Sequence, residues 1–293
     1  MATTALPRRV SKSYRIQLGI RRAGCYLFLA VLAFLCIFPL WTLLINMTRS
    51  KGDIEAGGFR WWFSTFLSQN WTNCFNDNHL PVGSALRNSF IVSLCSSVLT
   101  CYFSALTAYA FQVYNFKGKQ IIFTFIMLIM MIPTQVSALG FVQMMRTWKW
   151  TNTFWPLIIP SICSPVTFFY INQYMESILP FELVEAARVD GCSEIGIYHK
   201  IVLPLMKPAL AVQFIFSFVG TWNNYLVPAL LIDKDEMKTL PLIIAAVKAS
   251  DPSSFDPGKV YCLVGISIIP LVIVYLFFSR FIIKGMTAGA VKG

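Results

Sequence analysis

Hydrophobic positions in this chain gather into six long runs from which every charged side chain is excluded: Gly24 to Thr48, Asn88 to Asn115, Gln120 to Met145, Trp150 to Met175, Pro208 to Ile232 and Val260 to Ser279. A helix needs about 20 apolar residues to cross about 30 Å of hydrocarbon at about 1.5 Å per residue, and each run is long enough. One or two such runs would suit buried helices of a large soluble core. Six in one chain predict an all-α polytopic membrane protein with six transmembrane helices. In the fourth run, Pro156, Pro160 and Pro165 predict a bent or broken helix, because proline lacks an amide donor and clashes with the preceding turn.

The polar segments divide the chain into a basic N-terminal stretch at 1–23, a first span at 24–48, a loop at 49–85, a five-helix core at 86–282 with a polar loop at 180–204, and a tail at 283–293. Charge then sets orientation. Arg8, Arg9, Lys12, Arg15, Arg21 and Arg22 precede the first run with no acidic residue among them, and basic flanks stay in the cytoplasm. Six crossings return the C-terminus there, together with the Lys117–Lys119 turn, the loop at 176–207, and Arg280, Lys284 and Lys292. The mixed-sign loops at 49–87 and 233–259 fall outside. The first run is too long for the apolar stretch of a signal peptide, so no cleavable signal is expected. The expected location is the bacterial cytoplasmic membrane, crossed several times, with both termini cytosolic.

Composition agrees: 56% of the residues are hydrophobic and 13% charged, against about a quarter charged in a soluble domain. The net charge of +11 invites a nucleic-acid partner. The basic residues stand at span ends and in the tails, however, so anionic membrane lipid accounts for them and no nucleic acid is expected. Cys25, Cys36, Cys95, Cys101, Cys163 and Cys262 fall within runs, where thiols act as small hydrophobes. Only Cys74 is clearly external, so no disulfide framework is expected. His79 and His199 stand alone, which argues against a metal site.

Gly118–Lys119 and Gly258–Lys259 lack the rest of a phosphate-binding loop, and neither G-x-S-x-G nor H-E-x-x-H occurs. The chain is therefore not expected to be an enzyme or to hold a cofactor. Ion-coupled carriers keep ionisable groups at membrane depth. A carrier built from this chain draws energy from elsewhere or needs none.

The loop at 180–204 is the most informative segment. Pro180 is suited to open a helix. Leu183, Ala186, Ala187 and Asp190 follow at i, i+3, i+4 and i+7, a spacing that predicts one face. The two alanines would leave that face shallow enough for close approach by another protein. Gly191 suits the left-handed turn that ends the helix, and Ser193 is suited to cap a second one. The result is a helix–turn–helix reaching Leu203 and Pro204. Without further information it could equally be an interfacial hairpin with no partner.

Glu185-Ala186-Ala187, then Gly191, then Ile201-x-Leu203-Pro204 resembles, in residues and spacing, the EAA loop of permease subunits in bacterial ATP-binding-cassette importers. Leu86-Arg87-Asn88-Ser89, Ile132-Pro133, Trp222-Asn223-Asn224 and the terminal Gly285-Met286-Thr287-Ala288-Gly289-Ala290-Val291-Lys292-Gly293 extend the likeness across roughly the whole chain. They are similar to the carbohydrate permeases that include the second permease subunit of the maltose importer. The resemblance implies the type I importer permease fold and several partners: a second, related permease, two ATPase subunits beneath, and an extracellular solute-binding lipoprotein above. It also implies that Glu185, Ala186, Ala187, Asp190, Gly191, Leu203 and Pro204 couple to the ATPase, and that Gly289, Ala290 and Lys292 make a second contact with it.

For the substrate path, Gly220-Thr221-Trp222-Asn223-Asn224-Tyr225 puts a polar cluster inside the fifth run. Amides left unsatisfied in lipid cost several kcal/mol each, so the cluster is expected to face a bundle interior or a wet cavity. Adjacent helical residues point about 100° apart, so one asparagine could pack while the other lines the pathway; pure interhelical glue is the competing reading. Gln135 and Gln143 form a second candidate. Aromatic and amide groups together suit sugars. The alternatives are the same importer class carrying a glycerol phosphodiester or polyol and, against the evidence of the loop, a passive facilitator or a membrane scaffold.

Overall fold

The structure, a computed structural model, describes residues 12–76, 80–251 and 255–290, and no strand occurs among them. Helix α1 (Lys12–Asn46) begins well before Gly24, so part of the stretch read as a separate N-terminal segment is already helical. Two short helices follow, α2 (Lys51–Glu55), with the Ser50 hydroxyl accepting the Asp53 amide at 3.2 Å, and α3 (Leu67–Phe75). The long helix α4 (Val82–Val113) comes next.

The third run is not one helix. Pro133 separates α5 (Lys119–Ile129) from α6 (Thr134–Thr147). The fourth run breaks where its prolines predict, into α7 (Trp155–Ile158), a 3-10 turn over Ile159–Ile162, and α8 (Pro165–Ile178). The polar loop folds as α9 (Phe181–Val189), α10 (Glu194–Ile197), a π-helical turn over Tyr198–Val202 and α11 (Leu203–Leu205). The fifth run splits into α12 (Lys207–Trp222) and α13 (Leu226–Leu231), and α14 (Leu240–Lys248) precedes α15 (Pro257–Ala290). Among the described residues, three stretches are long and apolar enough to cross a membrane alone: Gln17–Asn46, Val82–Val113 and Pro257–Phe281. Of the six runs, three are thus unbroken and three broken, the fourth as its prolines predict and the third and fifth in addition. Helix α15 also continues to Ala290, through most of the stretch read as a tail.

Helix α4 is the central post, and small hydroxyl residues make it one. Ser89, Ser93, Ser96, Ser97, Thr100 and Ser104 are all buried. Broken helices expose carbonyls that lipid cannot satisfy, and two of these side chains meet such carbonyls. Thr100 Oγ1 donates to Ser161 O at 2.8 Å and Ser96 Oγ to Leu157 O at 3.2 Å, both in the broken fourth run. At the other end, Ser89 Oγ accepts the Leu240 amide at 2.8 Å, and Asn88 Nδ2 donates to Glu236 O at 2.8 Å.

Two apolar cores flank this post. One packs Val82, Phe218, Trp222, Leu240 and Leu263 around Cys74 and Cys262; the other joins Tyr109, Phe168, Ile171 and Met175 to Val184, Ile197 and Tyr198 of the polar loop. Cys74, in the loop expected to be external, is fully buried in one core with Cys262, because α3 packs on α15.

Candidate coupling hairpin and substrate cleft

The turn of the hairpin follows from three residues. Asp190 ends α9, and Gly191 takes φ +78°, a left-handed conformation that glycine adopts without a Cβ penalty. Its amide then reaches Arg188 O at 3.0 Å and the Cys192 amide reaches Ala187 O at 3.0 Å, a Schellman pair that satisfies the last carbonyls of the helix. Ser193 accepts the Gly196 amide at 3.2 Å and starts α10. Pro180 stands one place outside α9, at its N-cap, rather than within the first turn.

The predicted Leu183–Ala186–Ala187–Asp190 stripe does not lie on one surface. Val184 and Ala187 turn inward, 0% and 6% exposed, into the apolar core that also holds Tyr109, Met175 and Ile197. The outward surface is Glu185, Ala186, Val189 and Asp190, with Ile195 from α10 beside it. Val189 is 88% and Ile195 73% exposed. The side chains of Glu185 and Asp190 make no hydrogen bond or ion pair among the described residues. An apolar surface edged by free carboxylates is thereby presented away from the bundle. Leu203 and Pro204 lie instead at the elbow, where the stretch Glu194–Leu205 meets Lys207–Trp222 at 79°. The π-helical turn just before Pro204 takes up the missing proline amide.

The polar cluster of the fifth run is divided by the break between α12 and α13. Trp222 is 2% exposed and stacks on Phe218, with ring centres 5.7 Å apart. It floors an open cleft of about 330 Å³ lined also by Asn223, Tyr225, Ile244, Lys248 and Ser267. Asn223 is exposed, and its Nδ2 donates to Val219 O at 3.0 Å. Asn224 points elsewhere. Its Oδ1 accepts the Val227 amide at 3.4 Å, a donor that the first turn of α13 would leave unpaired. It borders a space of about 10 Å³ between Ser89, Thr221 and Thr239, room for about one water and no solute.

Gln135 and Gln143 lie on the exposed side of α6, whose buried side is Ala138, Val142 and Met145. Neither lines the cleft. Gly289 and Ala290 belong to the end of α15, and Lys292 lies outside the described residues. Two elements escaped the sequence reading: Lys248 in the cleft, and Asn152, whose Oδ1 accepts the Asp233 and Lys234 amides at 2.7 and 3.1 Å and holds the end of the broken fifth run. The signal for the hydroxyl face of α4 was present, in Ser89, Ser93, Ser96, Thr100 and Ser104 at three- and four-residue spacing.

Residues 101–288, which include the hairpin and the cleft, match the family described as the binding-protein-dependent transport system inner membrane component. The chain belongs to this family. It is thus a multi-pass inner membrane component of a transport system that works with a binding protein. The arabinooligosaccharides transport system permease protein AraQ of Halalkalibacterium halodurans is 36% identical over 269 residues, 90% of this chain and 94% of that protein. The trehalose/maltose transport system permease protein MalG of Thermococcus litoralis is 30% identical over 267 residues, 90% of this chain and 94% of that one. A crystal structure of a bacterial ABC transporter involved in the import of the acidic polysaccharide alginate contains a chain of the same fold. Its TM-score is 0.77 at 22% identity, covering 94% of this chain and 99% of that chain.

Proposed function

We propose that the chain is the permease subunit of an ATP-driven importer and forms half of the pathway for a sugar or oligosaccharide. A second, related permease supplies the other half, two ATPase subunits dock beneath, and a solute-binding lipoprotein delivers cargo from outside. The three unbroken and three broken runs serve as six spans, with the hairpin and both termini in the cytoplasm. The chain itself hydrolyses no ATP. The observation that carries this reading is the outward surface of the hairpin: Glu185, Ala186, Val189 and Asp190 stand unpartnered around a turn rigidly set by Gly191 and Ser193. ATP then favours one conformation through its different contacts with the two states.

Replacing Glu185 with Lys reverses a charge on that surface. ATPase co-purified with the Glu185→Lys chain should fall while membrane insertion is retained; full recovery of the ATPase would remove the hairpin as the dock. Maleimide should label a cysteine placed at Asp190 only after permeabilisation.

A second reading, an anionic small solute such as a glycerol phosphodiester, has one observation in its favour. Lys248 brings an ammonium group into the cleft beside Tyr225 and Asn223. Competition of neutral and anionic solutes against transport by Lys248→Gln separates the two cargo classes.

A further inference from the structure

Docking on the hairpin moves cargo only if displacement of α9 reaches the spans. The apolar contact through Val184 and Ala187 is non-directional and tolerates sliding. One polar contact does not. The carboxylate of Glu194, at the start of α10, accepts Arg188 Nε of α9 at 2.7 Å on Oε1 and the Tyr109 hydroxyl of α4 at 2.8 Å on Oε2. Tyr114 caps the end of α4 beside this pair, and the Arg188 guanidinium lies 5.6 Å over its ring. Charge-assisted hydrogen bonds of this kind fix direction as well as distance.

We propose that Glu194 is the transmission node of the hairpin, a positioning residue that ties both of its arms to α4. The proposal rests on the reading of the hairpin as an ATPase dock. A push on Val189 and Asp190 carries Arg188 with it. Arg188 pulls on Glu194, and Glu194 on Tyr109, which is 3% exposed and held within the core. Because α4 holds the broken fourth run and α14 through Thr100, Ser96 and Ser89, a shift of α4 reaches the segments around the cleft. A second tether runs parallel to the first. The Tyr198 hydroxyl donates to Tyr102 O at 2.8 Å, and the Tyr102 hydroxyl meets His199 Nε2 at 3.2 Å. His199 Nδ1 faces Ile195 O at 2.8 Å, so that nitrogen carries the proton and Nε2 accepts.

The test uses the complete importer in vesicles, with Tyr109→Phe, Glu194→Gln and the double variant. The outward surface is untouched, so ATPase should co-purify undiminished. ATP consumed per solute moved should rise about fivefold in Tyr109→Phe, the worth of one lost hydrogen bond. The double variant should be no worse than Glu194→Gln alone, because both cut one link. An unchanged ratio in both single variants overturns the proposal. So does loss of the ATPase from Tyr109→Phe, since that would make the contact an anchor of the fold. A second measurement needs no ATPase: spin labels at Asp190 and Thr107 of the full chain in lipid discs. Their distance distribution should broaden in Glu194→Gln, and an unchanged distribution overturns the node even where docking itself fails.

Discussion

The hairpin at 180–204 and the broken helix at 207–231 interrupt helical structure with similar residues and to opposite ends. In the hairpin, Gly191, Ser193 and the Arg188–Glu194 pair satisfy the backbone and the charges from within, which leaves Glu185, Val189 and Asp190 free to face a partner. At the break, Asn223 is bound to the carbonyl of Val219 and Asn224 to the amide of Val227. There the polar groups are consumed in making the bend tolerable, and the cleft is a by-product of where α12 stops. One region spends its caps to present a surface, the other to open a space.

The sharpest way to break this comparison is Trp222→Ala. The indole is 2% exposed and continues the Phe214–Phe218 stack at the end of α12. Truncating a buried tryptophan costs about 3–5 kcal/mol. Thermal unfolding in detergent should show the largest loss of any variant discussed, with the hairpin still protected from protease. A variant of wild-type stability would mean that the floor of the cleft is not core.

Gly191→Val comes next. Open space surrounds the missing Cβ, so the cost is conformational: a β-branched residue at φ +78° loses about 1–2 kcal/mol or forces another turn. The α9 surface should swing away from its dock, so that co-purified ATPase is lost while the spans still insert. Retained ATPase and normal coupling would show that the turn does not aim that surface.

The two asparagines sharpen the comparison within one region. Asn224→Ala leaves an unpaired amide at the start of α13 and should cost about 1 kcal/mol of stability. Asn223→Ala removes only a bond within its own helix and should change transport with little change in stability. Equal effects of both on stability, with transport intact, would return the whole cluster to packing.

How far the sequence reached follows from the same contrast. Gly191, Ser193 and the prolines of the fourth run act on neighbours one to four residues away, so their turns were legible. The breaks at Pro133 and Asn223 sit inside uninterrupted apolar runs, where hydropathy cannot distinguish a span from two half-helices. The inward turn of Ala187 depends on the apolar core it shares with Tyr109, Met175 and Ile197, and the burial of Cys74 on α3 meeting α15. Both are facts of tertiary contact, invisible to spacing. Ser96 and Thr100 show their role only once the Leu157 and Ser161 carbonyls they meet are in place.

The smallest expected effect concerns pH and tests the hairpin's internal economy. Hydrogen bonds from Arg188, then from Tyr114 and Tyr109, hold the Glu194 carboxyl down at about 2 against its ordinary 4.5. The folded hairpin therefore favours the ionised form. The stabilisation is fully present above the ordinary value and is lost as pH falls through it toward about 2. Arg188 and Glu194 are 33% and 43% exposed along their side chains, so solvent screens the pair and the effect is small. The distance between labels at Asp190 and Thr107 should stay constant from about pH 7 to about pH 5 and broaden only on further acidification, whereas Glu194→Gln should show no such transition. Broadening on the alkaline side instead would assign the tether to a group other than this carboxylate, because only a group whose protonated form makes the contact loses it as pH rises.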